Sequence, residues 1–387
     1  MNCEALMLSL LCAEVCQGTV SEEIKAAINP ALLAETYELA QKHDLAHICG
    51  QALSKLGVLG DDEISQKFKS CTMQALYRYV RMNHEYEKAC KALEEAQIPF
   101  IPLKGSVLRG NYPEPWMRTS SDVDILVRED TLEQAATTLV EQAQYTRKKM
   151  SDHDIAMISA SGTLLELHYT AVDEGRFPEA QEVLKTIWAT ATTKDAGSYH
   201  YYMADEMFYF FHIAHMAKHI ENGGCGVRPF LDLWILNHIV EYDRAKREEL
   251  LFQGGMLTFA RAAEQLTQVW FSGLDVDPLS AKLERFIFDG GIFGTLKSAV
   301  TIRRTKTKSK ISYAFSKIWL PYDRIKYHYP ILKEKKWLTP FFQVVRWLKL
   351  IFKGGVKRSV RELKTVAEVS TDESSYAAGL LQELGIY

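Results

Sequence analysis

Apolar residues recur at intervals of three and four along the first 97 positions. The stretches "INPALLAETYELAQKHDLAHICGQALSKLG" and "TMQALYRYVRMNHEYEKACKALEEAQ" both have this spacing, which is the period of one face of an α-helix. Gly57 and Gly60 interrupt the pattern. The sequence therefore predicts a helical region over residues 1–97.

The pattern changes at Ile98. The short apolar run "IPFIPL" is flanked by prolines, and "SDVDILV" alternates with the period of a strand. A helix is expected from about Thr131 to Gln142, followed by the strand-like runs "YTRKKM", "DIAMIS" and "TLLELHY". One helix followed by adjacent strands predicts a mixed sheet between about Ile98 and Val172, within an α+β core that we place at residues 98–195.

A helical period returns after Ala204. It appears in "DEMFYFFHIAHMAKHIENGG" and, beyond a glycine-rich break, in "RPFLDLWILNHIVEY", and it predicts a second helical region over residues 196–300. Residues 301–387 form a basic, aromatic-rich region that ends in a more acidic tail. The predicted fold class is α+β, with a small mixed-sheet core flanked by N- and C-terminal helical regions.

Composition indicates a globular protein, because 47% of the residues are hydrophobic and 25% are charged. The 387 residues allow about two or three domains of roughly 150 residues each. The seven cysteines contain no CxxC pair and no zinc-ligand spacing, which predicts a reducing, cytoplasmic setting. Glu4 and Glu14 within the first apolar run favour a first helix over a signal peptide. No apolar stretch is long enough to predict a transmembrane span.

The formal net charge of −3 conceals an uneven distribution. Residues 301–365 contain eighteen lysines and arginines against three acidic residues, so this region is expected to have different partners from the rest. Its stretch "RRTKTKSK…YDRIKYHYP" interleaves cations with aromatic residues. Such a stretch could contact nucleic acid through phosphates, although no recognition module accompanies it.

One segment of this region has a helical amphipathic pattern. In "WLTPFFQVVRWLKLIFK" polar residues recur every three or four positions and leave a broad apolar face; they are Gln343, Arg346, Lys349 and Lys353. We expect this helix either to pack its apolar face on the protein's own core or to lie in a membrane interface with its cations toward anionic lipid.

Two aspartates interrupt an otherwise apolar strand in "SDVDILV". Side chains two apart on a strand share a face, so Asp122 and Asp124 project together. Neighbouring carboxylates resist ionisation unless a cation lies between them, which predicts a divalent metal ion, and magnesium prefers carboxylate oxygens. Glu166 lies between apolar residues in "LLELHY" and becomes a third ligand if the two strands are neighbours.

Upstream of this strand, Lys104, Gly105 and Ser106 follow a short apolar run and precede a candidate helix start. Glycine permits close backbone approach, and unpaired N–H groups at a helix start attract anionic oxygens. The three residues are therefore candidates to bind the phosphates of a substrate. Arg118 could reach the same phosphates or pair with the two aspartates.

Histidines add further candidates. His168 shares the face of Glu166, where it either lines the pocket or serves a structural role. His212, His215 and His219 lie near one helical face, which allows a transition-metal site, although no HExxH pattern accompanies them; substrate contact or packing is the alternative. The signatures of P-loop, α/β-hydrolase and Rossmann proteins do not occur.

Together these motifs resemble the uncharacterised nucleotidyltransferases of the DNA polymerase β-like superfamily. The resemblance rests on "LKGS…RTSSDVDILV…LLELHY" and "HMAKH…GGCGVRPFLDL", and it covers about Gln97 to Trp234. It implies that Gly105 and Ser106 hold the triphosphate, that Asp122 and Asp124 bind two magnesium ions, and that Glu166 is the third metal-binding carboxylate, which also helps to deprotonate the acceptor hydroxyl.

The same resemblance places a later segment beside the active site and makes Lys218 and Arg228 candidates for phosphate or acceptor binding. A helix pair between Arg228 and Asp232 is the structural alternative for that arginine. The predicted reaction is the transfer of a nucleoside monophosphate, AMP for preference, from an NTP to a hydroxyl of an unidentified small molecule, glycan precursor, protein or RNA. The alternatives are a catalytically degenerate nucleotide-binding protein and a membrane or RNA adaptor.

Overall fold

The structure is a computed structural model that describes residues 1–151, 153–171, 177–193, 195–291, 329–352 and 371–387, together with residues 302, 319, 322 and 325. The basic stretch "RRTKTKSK", the end of the predicted sheet at Val172 and the predicted helix position Lys353 lie outside the described residues.

The first 97 residues are helical, as the apolar spacing predicts. The side chains of Asn2, Ser21, Asn29 and Asp62 each accept a backbone N–H at the start of a helix, which satisfies donors that the helix leaves unpaired. These helices are α1 (Cys3–Val15), α2 (Glu22–Ala27), α3 (Pro30–Lys42), α4 (Ala46–Lys55) and α5 (Glu63–Glu95).

A five-stranded mixed sheet follows, and it confirms the predicted α+β fold class. Its strands are β1 (Phe100–Pro102), β2 (Asp122–Val127), β3 (Thr146–Met150), β4 (Asp154–Ile158) and β5 (Leu164–His168), in the spatial order β1-β2-β5-β4-β3. Strands β2 and β5 are parallel, and the other neighbours are antiparallel. A single helical turn, α6 (Gly105–Leu108), lies between β1 and β2, and α7 (Leu132–Glu141) lies between β2 and β3.

The alternation in β2 separates two environments. Val123, Ile125 and Val127 are fully buried and belong to an apolar cluster with residues of α5 and α7. Burial of such a side chain stabilises the fold by roughly 1.5–3 kcal/mol, so this face fixes the position of the strand. Asp122 and Asp124 consequently project from the opposite face of the sheet.

Helices return after the sheet. They are α8 (Pro178–Leu184), α9 (Ile187–Thr190), α10 (Asp205–Glu221), α11 (Arg228–His238), α12 (Arg244–Gln253), α13 (Leu257–Ser272) and α14 (Pro278–Gly290), with a short hairpin of β6 (Thr192–Thr193) and β7 (Tyr201–Tyr202) before α10. The elements α8, α9, β6 and β7 were not predicted, because each is too short to establish a period. Buried side chains of α1, α4, α10, α11 and α13 join in one apolar core.

Two further helices are described toward the C-terminus, α15 (Thr339–Phe352) and α16 (Thr371–Glu383). Helix α15 confirms that the amphipathic segment is helical. Its apolar residues Phe341, Val344 and Leu348 are exposed, whereas the polar Gln343 is buried. Of the two alternatives for this helix, packing on the protein's own core does not hold for these three apolar side chains. Among the described residues, no helix has both the length and the apolar character needed to cross a bilayer.

Candidate functional site

Three side chains from two neighbouring strands converge on the polar face of the sheet. Asp124 of β2 is the direct register partner of Glu166 of β5. His168 follows two positions later on the same face of β5, and each of the three residues offers a ligand atom within 4.8 Å of the others. The parallel pairing of β2 with β5 thus brings together acids that lie far apart in the chain.

Asp124 is a buried carboxylate with two cationic partners. Its Oδ1 accepts hydrogen bonds from Lys104 Nζ and from His168 Nε2, each at 2.8 Å. Burial alone would raise the pKa of Asp124, but the Lys104 ammonium and the His168 hydrogen bond outweigh it and hold that pKa well below its ordinary value. The same contacts raise the pKa of Lys104 and of His168 against the opposing effect of burial. These contacts therefore favour the ionised form of Asp124.

The pKa of Asp122 is shifted in the opposite direction from that of Asp124. Burial, followed by repulsion from Asp124, raises the pKa of Asp122 to about 6. Glu166 has a lowered pKa, because the hydrogen bond from His168 outweighs its burial. The Asp124 carboxylate acts to raise the pKa of both Asp122 and Glu166, and such repulsion between neighbouring carboxylates is relieved when a cation binds between them.

The donor set fits a hard divalent cation. Asp122, Asp124 and Glu166 provide carboxylate oxygens, which magnesium prefers, and such sites typically leave room for substrate phosphates in the coordination shell. The close set of Asp124, Glu166 and His168 also includes an imidazole, a ligand that suits transition metals better than magnesium. His168 was not among the predicted ligands, although the period-2 alternation of β5 places it on the correct face.

A cavity of about 320 Å³ opens beside the acids. Of the predicted phosphate ligands, Lys104, Gly105, Arg118, Lys218 and Arg228 line this cavity together with Asp122, Asp124 and Glu166. Ser106 does not line it, and the buried Ser106 hydroxyl has no hydrogen-bond partner among the described residues. Successive residues of a helical turn point about 100° apart, so Gly105 can face the cavity while Ser106 does not.

The turn before α6 brings the backbone close to the cavity wall. Lys104 has a φ of 49°, a conformation that side chains rarely adopt and that costs of order 1–3 kcal/mol. A Cβ atom on Gly105 would lie 3.3 Å from Ser120 Cβ and 3.4 Å from Arg118 Nη1. The turn therefore depends on glycine at position 105 for this close approach.

Arg118 is held by an acid on α11 and not by the two aspartates of β2. Its Nε donates to both carboxylate oxygens of Asp232, at 2.7 and 3.0 Å. Tyr112 donates its hydroxyl to Asp232 Oδ1 at 2.8 Å. The pKa of the buried Asp232 is lowered because Arg118 outweighs the effect of burial. The pairing of Arg118 with Asp122 or Asp124, which was one of the two expectations, is not what the structure shows.

Arg228 reaches across to the N-terminal helices. Its Nη1 donates to Asp44 Oδ2 at 3.0 Å and to Thr119 Oγ1 at 3.3 Å. Thr119 in turn donates to Asp44 Oδ2 at 2.9 Å. The expected helix pair between Arg228 and Asp232 is thus replaced by bonds to other partners. Asp44 gave no signal in the sequence, because it lies in a turn between α3 and α4, far from the other site residues.

The histidines of α10 form the wall opposite the sheet. His212 donates its Nε2–H to the carbonyl of Pro229 at 2.9 Å, and the Nε2 atoms of His215 and His219 are 3.2 Å apart. Burial lowers the pKa of His212 and of His215, with Lys104 adding to the shift at His215. Within the described part of the chain, the residues close enough to hold one ion are Asp124, Glu166 and His168, and these three histidines are not such a group.

A small mixed sheet that presents acids from two neighbouring strands to a cation-lined cavity is the arrangement expected of a nucleotidyl-transferring protein. Residues 30–272 match the family described as uncharacterised nucleotidyltransferases, and the chain belongs to that family. The matched segment is wider than the motifs that carry the resemblance, since it begins in α3 and ends in α13. A search of the curated proteins found no match for the chain.

Proposed function

We propose that the protein transfers a nucleoside monophosphate, AMP, from ATP to an acceptor hydroxyl and releases pyrophosphate. Membership of a nucleotidyltransferase family supports nucleotidyl transfer in general. The observation that carries the proposal for this site is the register pairing of Asp124 with Glu166 beside a cavity lined by lysine and arginine. Acidic side chains that can bind a metal ion and basic side chains that can bind a triphosphate thus line the same cavity.

Each group has a defined task in this proposal. Asp122, Asp124 and Glu166 hold magnesium, as a pair of ions, and when bound the metal supplies positive charge against the triphosphate and the attacking oxygen. Arg118 and Arg228 are fixed by Asp232 and Asp44, so they are already oriented where an anionic substrate enters. Lys218 of α10 contributes from the opposite wall.

The chemical step is an in-line displacement. The acceptor oxygen forms a bond to the α-phosphorus, and the bond from that phosphorus to the bridging oxygen of the β-phosphate breaks. Pyrophosphate carries away the electron pair of the broken bond, and Glu166 takes the proton of the acceptor hydroxyl. Positioning and charge neutralisation by the side chains of the cavity provide most of the rate enhancement.

The regions outside the sheet complete the proposal. Residues 1–97 form a helical region, residues 98–195 the catalytic core and residues 196–300 the helical substrate-binding region, while residues 301–387 form a basic C-terminal region. We place the protein in the cytoplasm, where ATP and magnesium are present. The acceptor belongs to the class of hydroxyl-bearing small molecules, glycan precursors, proteins or RNA.

The test is incubation of the purified chain with each labelled NTP, magnesium and cell extract, with pyrophosphate and labelled product followed together. Asp124→Asn removes a ligand charge with little change of shape and should lower pyrophosphate release by at least about a thousandfold. The matched control is Asp154→Asn, a buried aspartate of the neighbouring β4 that does not line the cavity. Unchanged turnover in Asp124→Asn would refute the proposal.

A second candidate function is nucleotide binding without turnover. The observation that favours it is the Lys104 ammonium on Asp124 Oδ1, because an internal cation at this carboxylate competes with a metal ion. Magnesium-dependent ATP binding with no pyrophosphate release in the presence of any extract would establish this function in place of transfer.

A further inference from the structure

One face of α15 is apolar and exposed to solvent. Trp337, which lies in the turn before the helix, and the helix residues Phe341, Val344 and Leu348 are spaced by four, three and four positions, which aligns them along one side. Their exposed fractions range from 49% for Leu348 to 76% for Trp337. We call these four residues the α15 apolar face.

The opposite side of α15 is the one that makes contacts. Gln343 is only 2% exposed. The Phe342 ring lies 4.6 Å from the Tyr329 ring, and Lys349 Nζ lies 4.9 Å from the same tyrosine ring. The helix thus contacts the rest of the chain through a side that includes Gln343 and Phe342, and it leaves the α15 apolar face exposed. A continuous exposed apolar surface of this kind marks an interaction site.

The charge around this face identifies its partner. Lys335 and Lys336 are exposed directly before Trp337 in the chain, and residues 301–365 of the sequence contain eighteen basic against three acidic residues. A second copy of the chain would bring the same positive charge against itself. Nucleic acid would satisfy the lysines but would leave the aromatic and aliphatic side chains in water. An anionic lipid surface accommodates both, because acyl chains accept the apolar face and headgroup phosphates accept the lysines.

We propose that α15 binds an anionic membrane surface and lies in its interface. Trp337, Phe341, Val344 and Leu348 enter the boundary between headgroups and acyl chains, while the lysines remain at the level of the phosphates. The attachment is peripheral and independent of nucleotidyl transfer. It holds the protein at a lipid surface through one amphipathic helix.

The experiment is sedimentation of the full-length protein with vesicles of phosphatidylcholine alone or mixed with phosphatidylglycerol. We expect binding to the mixed vesicles to be at least about tenfold tighter and to weaken with added salt. The combined change Phe341→Ser and Leu348→Ser should weaken it at least about tenfold. The matched control combines Phe252→Ser with Leu274→Ser, two residues that are 76% and 47% exposed elsewhere on the surface.

The outcomes separate the alternatives. Equal vesicle binding by the unchanged protein and by the variant that combines Phe341→Ser with Leu348→Ser would overturn the proposal. An equal loss of vesicle binding in the control variant would overturn it as well. Binding to RNA without binding to either vesicle would assign the region to nucleic acid. Concentration-dependent self-association that Phe341→Ser and Leu348→Ser abolish, with no vesicle binding, would assign the α15 apolar face to a second copy of the chain. Circular dichroism of each variant verifies that the fold is retained.

Discussion

Lys104 Nζ lies 2.8 Å from Asp124 Oδ1, so the ammonium of the turn before α6 is in direct contact with the central carboxylate of the acid cluster. The contact joins the group predicted to bind phosphate to a group predicted to bind metal. An ammonium this close to a metal-binding carboxylate competes electrostatically with a divalent cation. We therefore expect Lys104 to lower the affinity of these residues for a metal ion.

Replacing this lysine should strengthen metal binding. Two unit charges 4 Å apart interact by about 4 kcal/mol at an effective dielectric constant of 20, so Lys104→Met should tighten Mn²⁺ binding at least about tenfold. Methionine retains the length of the side chain. The measurement is titration calorimetry or electron paramagnetic resonance with Mn²⁺ as the only metal present.

The matched control for this change is Lys55→Met. Lys55 Nζ contacts Glu14 Oε2 at 2.7 Å, and the Glu14 carboxylate is as buried as that of Asp124, but neither residue lines the cavity. Lys55→Met should leave the Mn²⁺ affinity unchanged. Weaker Mn²⁺ binding by Lys104→Met would show that the lysine supports the metal site and would contradict the prediction.

The acid that holds Arg118 should be important for stability. Asp232 is fully buried, and Asp232→Asn leaves the Arg118 guanidinium buried without its counter-charge, which costs about 3–5 kcal/mol. Tyr112→Phe removes only one hydrogen bond to the same carboxylate and should cost about 1 kcal/mol. Urea denaturation gives the free energy of unfolding of both variants. If Asp232→Asn lowered the free energy of unfolding less than Tyr112→Phe does, the stabilising role assigned to Asp232 would be contradicted.

Gly105 and Gly110 provide a matched pair on the segment after β1. A Cβ atom at Gly105 would press against Ser120 and Arg118, whereas nothing lies within 4 Å of one at Gly110. We expect Gly105→Ala to lower the free energy of unfolding by about 1 kcal/mol through overpacking and to weaken ATP binding, since it displaces the cavity wall. Gly110→Ala should do neither. Isothermal titration with ATP, alongside thermal denaturation, tests both effects.

A buried histidine should make stability depend on pH. Burial lowers the pKa of His47 to about 4, and its Nε2–H donates to the Met117 carbonyl at 2.8 Å. Between pH 6.5 and 4 the unfolded chain takes up the proton and the folded chain does not, so stability falls as the pH falls through this interval. The contribution of His47 approaches about 3 kcal/mol at the lower end.

His47→Gln retains a donor for Met117 and removes the titrating group. The free energy of unfolding of the variant should therefore decline less than that of the unchanged protein when urea denaturation is repeated from pH 7 down to pH 4. Parallel pH curves for the two proteins would contradict the assignment.

The long elements were predictable from the sequence because their packing follows their own period. Helix α5 and strand β2 are each held by an apolar face that recurs regularly, whereas α10 is buried along most of its length. The parallel pairing of β2 with β5 was not predictable, since β3 and β4 intervene along the chain and period alone does not give the order of strands. The orientation of α15 was left open between two alternatives, because an amphipathic pattern shows two faces and does not show which one is attached.

The positions of the acids were predictable from the alternation of their strands, and the positions of their partners were not. The alternation of β2 and β5 places Asp122, Asp124 and Glu166 on one face, and the structure brings Glu166 beside Asp124. Residues that meet only through tertiary packing give no local signal in the sequence. Asp44 and Arg228, for example, are 184 residues apart in the chain. The functional roles assigned to these residues remain predictions that the experiments above test.

The bond between Arg228 and Asp44 has a practical consequence for anyone dissecting this chain. The cavity is lined in part by residues of α10 and α11, which follow the sheet, and one of them, Arg228, is anchored by Asp44, which precedes the sheet. A fragment trimmed to residues 98–195 would keep every acid of the cluster yet lose the arginine and its anchor. Such a truncated protein is expected to be inert toward ATP, and its inactivity would say nothing about the chemistry of the intact molecule.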